Sequence, residues 1–425
     1  MKLDIGARLR SNRMAGLMDQ AGYSLASFVQ TVLYARLLPA DAFGLFAMVL
    51  STVLLAQTLQ RCMVVLPMVV SLADRERGGI RGWLQLNAWV LLGAVLVLLL
   101  AAAALHWWPA GNRVNLPQML GLAACALPAV FAFEFVRRAL YAEQLHRRVP
   151  LQAAVYFSLQ LGGAWWVSHW LPQAWAAVLV LVVANLLAAA VGAAALTWRR
   201  RDGEPGAAQL FSRYRTDMGW SLAAAVPYAG YSTGMPLIVG LLLGPAAAGV
   251  FTATRLLLAP VTTLISAVDS VDKPKAARSL RDGGTAGLAR SLRGTAKSLL
   301  LLGGGYVLAV ALFYQPLLVL MLGPKMAAAA QGAWVWLLVG LLMMLGQPME
   351  TGLLVLRRTR WNFLSRLAAL CASLAVLWLA LLGLGQTAGV VAVATGWLVS
   401  TLSAAWLLRL ALRRHVPAQP PAAQA

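Results

Sequence analysis

Apolar residues run along this chain in blocks of about twenty, the length a helix needs to cross hydrocarbon, and short basic clusters separate the blocks. Twelve spans are predicted. The first six are Met14–Leu37, Phe43–Leu72, Trp83–Leu105, Leu116–Phe135, Leu151–Trp170 and Ala174–Trp198. The second six are Met218–Leu243, Ala247–Val271, Leu299–Tyr314 (running on towards Leu322), Gln331–Leu356, Asn362–Leu384 and Gly389–Leu410. The first is too long and too polar inside for a cleaved signal peptide, and no small-residue cleavage site follows it. The tail Val416–Ala425, rich in Pro, Ala and Gln, is expected to be disordered.

Composition agrees with the pattern. Of 425 residues, 60% are hydrophobic and 12% charged, against about 25% charged in soluble domains. An ordinary cytosolic enzyme is excluded. The formal charge of +21 raises the alternative of a nucleic-acid partner, and the positions of the charges decide against it. Thirty of the 35 Lys and Arg lie at the termini or in every second loop. That alternation places both termini in the cytoplasm and requires an even number of crossings. The basic excess is topological, and no nucleic acid is implied. The longest loop on that side, Asp272–Lys297, is too short to fold as a catalytic domain. Cys62, Cys125 and Cys371 sit in apolar runs without metal-ligand spacing, and no pair among the four histidines has it. No cofactor or metal is expected, and the chain does not read as an enzyme.

The chain also repeats itself. Leu37-Leu38-Pro39-Ala40-Asp41-Ala42-Phe43-Gly44-Leu45-Phe46 aligns with Leu242-Leu243-Gly244-Pro245-Ala246-Ala247-Ala248-Gly249-Val250-Phe251 at an offset of 205 residues. Tyr23 and Tyr228, and Ser27 and Ser232, keep the same offset. Six spans per copy is an even number, so both copies enter the membrane in one direction, a parallel repeat. The expected fold is an all-α polytopic membrane protein. Its two six-helix bundles, residues 1–198 and 218–415, would flank a central cavity, joined by a cytoplasmic linker at 199–217 and followed by the tail at 416–425.

Polar side chains inside the spans are the candidate chemistry. Tyr23, Ser27, Gln30 and Tyr34 share one face of the first span, and Asp19 continues the stripe. Tyr228 and Tyr231 belong to a related stripe in the seventh, and Gln57 lies one turn before Arg61 in the second. Such faces need protein partners or water, so they either bond between helices or line the cavity. Arg61 is permanently charged near mid-span and should face water or an anion. Arg255 sits about 9 Å inside its span, where it could snorkel or bind an anion. Glu134 precedes Arg137 and Arg138 by three and four residues, the spacing of an interfacial ion pair, and Glu350 stands near a span end.

The stretch Ala35–Phe46, its counterpart Leu243–Phe251 continuing to Arg255, and Pro274 at the end of the eighth span resemble a signature of a known family. These are the O-antigen and exopolysaccharide lipid flippases of the multidrug/oligosaccharidyl-lipid/polysaccharide exporter superfamily. The first copy departs from it, with Leu-Pro where Leu-Gly-Pro is usual. The resemblance implies transport of a polyprenyl-pyrophosphate-linked oligosaccharide from the cytoplasmic to the outer leaflet of a bacterial inner membrane. Arg61 and Arg255 would then meet the pyrophosphate, the polar and aromatic stripes would receive sugars, and a lateral opening would leave the lipid tail in the bilayer. Asp19, Glu134 or Glu350 could couple H⁺ or Na⁺, and the polysaccharide polymerisation and export machinery would be the downstream partner. A small-solute exporter of the major facilitator class remains the alternative, although Val70–Arg77 lacks the two glycines of that class's loop motif. So does a drug exporter of the same superfamily.

Overall fold

The computed structural model describes residues 22, 24–73, 79–107, 114–143, 145, 148–196, 198, 204–324, 330, 332–381 and 383–414. Asp19, Tyr23 and the tail lie outside them, as does part of the linker. Among the described residues all regular structure is helical. After α1 (24–37), α2 (Ala40–Gln60) widens into a π-helical turn at Arg61–Val65 and continues as α3 (Leu66–Ala73). Then come α4 (Ile80–Trp107), α5 (Leu116–Ala142), α6 (Val149–Trp170) and α7 (Ala174–Ala193). The second copy begins with α8 (Ala207–Tyr231), α9 (Met235–Leu243), α10 (Pro245–Thr254) and α11 (Ala259–Leu322), and ends with α12 (Val335–Val355), α13 (Thr359–Ala380) and α14 (Ala388–Arg414).

Eight helical runs are long and apolar enough to cross a membrane, or nine if the bent pair α8–α9 is one span. The twelve spans expected from the sequence exceed this count among the described residues for simple reasons. One run, Pro245–Leu322, is 78 residues long and is broken at Gly283 and Gly284, the latter at φ 59°. It is therefore two crossings joined by a helical hairpin. The stretch 272–297, expected as a loop, is helical because Leu288 and Leu292 are buried against Leu353, Leu356 and Leu408. Helix α6 is 22 residues long but more polar, and α1 is described only in part.

The repeat motif shows why each copy needs its own turn residue. In the first copy Pro39 precedes α2 in extended conformation, φ −55° and ψ 143°. At the equivalent point of the second copy Gly244 has φ 97° and ψ 168°, a region open to glycine alone. Pro245 then occupies the first helical turn, where its missing N–H costs nothing. The motif glycines set how closely α2 and α10 pack. A Cβ on Gly44 would stand 1.7 Å from the Pro245 carbonyl oxygen, and one on Gly249 would be 3.0 Å from the Phe43 ring. Small residues at such crossings let helix backbones approach. Phe46 and Phe251, related by the same repeat, are both 2% exposed.

By packing, the chain forms two compact units, Met1–Leu256 with Leu318–Gln331, and Leu257–Leu317 with Gly332–Ala425. The first unit thus takes in α8–α10, the opening helices of the second copy. One core of it joins Trp83, Phe135, Leu140 and Val149 to Ala207, Leu210 and Met218 of α8. Two glycines at the start of α4 admit the segment leading into α8: a Cβ on Gly79 would meet the Glu204 carboxyl at 2.2 Å, and one on Gly82 the Pro205 carbonyl at 2.1 Å. The Glu204 carboxylate accepts the Gly82 N–H at 3.1 Å, satisfying a helix-start donor that would otherwise be orphaned. The second unit is built on Ala276, Leu288, Leu292, Leu353, Leu408 and Ala411.

Candidate functional site

The charged centre of the first unit is Glu134 on α5, whose side chain is 2% exposed. Three guanidiniums surround it. Arg61 Nε lies 3.3 Å from Oε1, Arg138 Nε donates to the same oxygen at 3.0 Å, and Arg137 Nη1 is 3.8 Å from Oε2. Arg61 and Arg138 share one carboxylate oxygen, so among the described residues the cluster is net positive. Burying charge is costly unless it is compensated, so a partly open cluster of this sign is fitted to hold an anion. Arg61 and Arg138 are the open members, with side chains 48% and 36% exposed. Both ion pairs engage Nε, so the Nη groups of each are the part of the fork suited to bidentate binding of phosphate.

Local backbone chemistry carries Arg61 to this position. Pro67 has no N–H for the carbonyl of Met63, and its ring crowds that carbonyl. The helix relaxes by widening over Arg61–Val65, the π-bulge geometry that often marks functional positions. Gln60, fully buried, fixes the preceding turn by donating to Asn87 Oδ1 at 2.8 Å and to the Phe131 carbonyl at 2.7 Å. Gln57 is also buried.

The other expected site residues fall in different places. Gln30 donates to Gln160 of α6, both buried, so this part of the α1 stripe bonds between helices. Tyr34 is fully buried with its ring edge against Phe46, centroids 5.0 Å apart. Ser27 is half-buried. Tyr228 and Tyr231 meet edge to face at 5.7 Å, and Tyr231 is fully buried. Arg255 Nη1 donates to the Ser232 carbonyl at 3.2 Å. Ser232 closes α8 where α8 and α9 bend by 43°, so Arg255 satisfies a carbonyl released at a broken span.

In the second unit two carboxylates each pair with a basic residue. Glu350 pairs with Arg366 at 2.6 Å. Asp269 pairs with Lys273 at 2.6 Å and accepts from Gln347. Among the described residues no group of three or more His, Cys, Asp or Glu could hold a metal ion. Arg138 and Gln160 were not among the expected site residues. Arg138 had a signal, its i+4 spacing from Glu134; Gln160 had none, being 130 residues from its partner.

The fold is similar to that of solved membrane transporters of the MOP superfamily. A multidrug resistance MATE family transporter of that superfamily, in an inward-facing conformation, superposes with a TM-score of 0.68 at 13% identity over 92% of this chain and 96% of that one. The lipid II flippase MurJ in an inward closed conformation gives 0.64 at 10% identity, over 94% and 87%. A MOP superfamily transporter from Pyrococcus furiosus gives 0.60 at 15%, over 96% of each chain. No curated protein matches the sequence. Residues 33–331 match the family described as "Polysaccharide biosynthesis protein", and the chain belongs to that family.

Proposed function

We propose that the protein is a flippase. It carries a polyprenyl-pyrophosphate-linked oligosaccharide from the cytoplasmic to the outer leaflet of a bacterial inner membrane, with its termini in the cytoplasm and the polysaccharide polymerisation machinery as consumer of its product. The observation that carries this reading is the Arg61–Glu134–Arg138 cluster: a buried carboxylate holds two half-open arginines by Nε and leaves an excess of positive charge inside the spans. Family membership and transporter fold support the class. A pyrophosphate moved outward runs with an inside-negative potential, about 2.3 kcal/mol per charge for each 100 mV.

In this mechanism Glu134 anchors the arginines, and Arg61 and Arg138 receive the pyrophosphate. Arg255, already bonded to Ser232, braces the α8–α9 bend. A coupling H⁺ or Na⁺ would compete with guanidiniums at Glu134 and with Arg366 at Glu350, so neither carboxylate is assigned to coupling. The test is translocation of lipid-linked oligosaccharide by the purified protein in vesicles. Substitution of Arg61 or Arg138 by Gln should each slow it at least tenfold, the loss of about 1.4 kcal/mol or more of anion binding. Rates equal to wild type in both variants would refute the proposal.

A further inference from the structure

Helix α11 carries two crossings, and they show different faces. The one beyond the hairpin exposes Leu301, Leu302, Leu308 and Leu312, each at least 60% open, as a helix against lipid should. In the one before it, from Ala259 to Lys273, the exposed residues among the described side chains are Pro260, Thr262, Ser266 and Ala267. No large apolar side chain stands among them. Thr262, Ser266, Asp269 and Lys273 are spaced +4, +3 and +4, so they share one side of the helix. Hydrocarbon does not suit hydroxyls and charge. This face is fitted to a polar solute.

Its chemistry narrows the choice of solute. Thr262 donates to the Ala259 carbonyl at 2.8 Å and Ser266 to the Thr262 carbonyl at 2.9 Å, so each hydroxyl has spent its proton and keeps its lone pairs. Gln347 of α12, half-buried, and Lys273 both bond to Asp269 Oδ2. Asp269 Oδ1 and Gln347 Oε1 take no hydrogen bond from a described residue. Four acceptors therefore stand along about 10 Å of helix. The Asp269–Lys273 pair is neutral as a whole: an anion would meet the carboxylate, and a cation would meet the lysine. A neutral solute rich in hydroxyl donors meets neither obstacle, and a sugar is such a solute. The α1 stripe expected to receive sugars is covered by Gln160 and Phe46, whereas this face is open.

We propose that this face of the second unit binds the oligosaccharide of the lipid-linked substrate, with Thr262, Ser266, Asp269 and Gln347 accepting from its hydroxyl groups. The identity of the glycan's carrier rests on the flippase reading; the face's preference for a neutral polyol over an ion does not.

The test uses the purified full-length protein in nanodiscs. It is titrated with labelled lipid-linked oligosaccharide from the native cells, with polyprenyl pyrophosphate lacking sugar, and with the organic cation tetraphenylphosphonium. Gln347→Met should weaken binding of the glycan-bearing lipid about fivefold, and Thr262→Val combined with Ser266→Ala by about as much. Ser266→Trp, which sets a bulky ring at an exposed position, should weaken it about tenfold. Binding of the sugar-free lipid should change by less than about twofold in all three. Leu308→Ala, on the crossing that exposes leucines, should alter neither. Glycan-lipid binding unchanged in all three variants would overturn the proposal, and so would equal weakening of both lipids. Tetraphenylphosphonium binding that the same variants abolish would mark a cation site and overturn it too. Translocation measured in parallel separates the two claims. Sugar-dependent binding without glycan transport would sink the flippase reading alone, whereas transport with binding indifferent to all three variants would sink the sugar face alone.

Discussion

The two units handle charge inside the membrane in opposite ways. In the first, one buried carboxylate faces three arginines, two of them half open. In the second, Glu350 has Arg366 and Asp269 has Lys273. A one-to-one pair neutralises itself and is explained by folding. An excess of fixed cations is not, because burying it lowers stability unless something anionic visits. The proposed pyrophosphate site lies in the first unit, where the charge is unbalanced.

Removing the anchors gives the largest contrast. Glu134→Ala leaves three guanidiniums around an empty site and should destabilise the protein by about 3–5 kcal/mol, visible as a collapse in yield or a fall of many degrees in detergent melting temperature. Glu350→Ala opens a pair whose partners are 12% and 19% exposed and should cost about 1–2 kcal/mol. Equal losses would remove the asymmetry between units.

The helix contacts offer a second contrast. Gly44→Ala forces a Cβ towards the Pro245 oxygen, and separating α2 from α10 should cost about 1–3 kcal/mol. Gly304→Ala in the second unit meets nothing within 4 Å and should be neutral or stabilise by up to about 1 kcal/mol, from helix propensity. Thermal melts of both variants check this pair. The smallest expected effect is at Arg255. Arg255→Gln loses one bond to a helix-end carbonyl, about 1 kcal/mol, with translocation kept near the wild-type rate. A tenfold loss of transport without loss of stability would return Arg255 to the pyrophosphate site.

Much of the fold was legible because it rests on local or periodic signals. Hydrophobic blocks marked the crossings, and the 205-residue offset joined Gly44 to Gly249 before their helices were seen to touch. Glu134 and Arg138 were readable as i+4 neighbours. What was not legible needed tertiary contact. Arg61 and Glu134 lie 73 residues apart, and a lone intramembrane arginine does not announce its partner. Gln30 and Tyr34 looked like cavity residues because a polar stripe looks alike whether it meets water or another helix. Here Gln160 and Phe46 cover them. The stretch 272–297 reads as a loop because charge, Pro274 and the glycine pair mask leucines that bury against α12 and α14.

The most direct test of the central claim is translocation of lipid-linked oligosaccharide in vesicles by two matched variants, Arg61→Gln in the first unit and Arg366→Gln in the second. Arg61→Gln should lose at least tenfold in rate, with protein of wild-type melting temperature, and folded Arg366→Gln should keep a near-normal rate. A normal rate for Arg61→Gln, or the same loss in both, would contradict it.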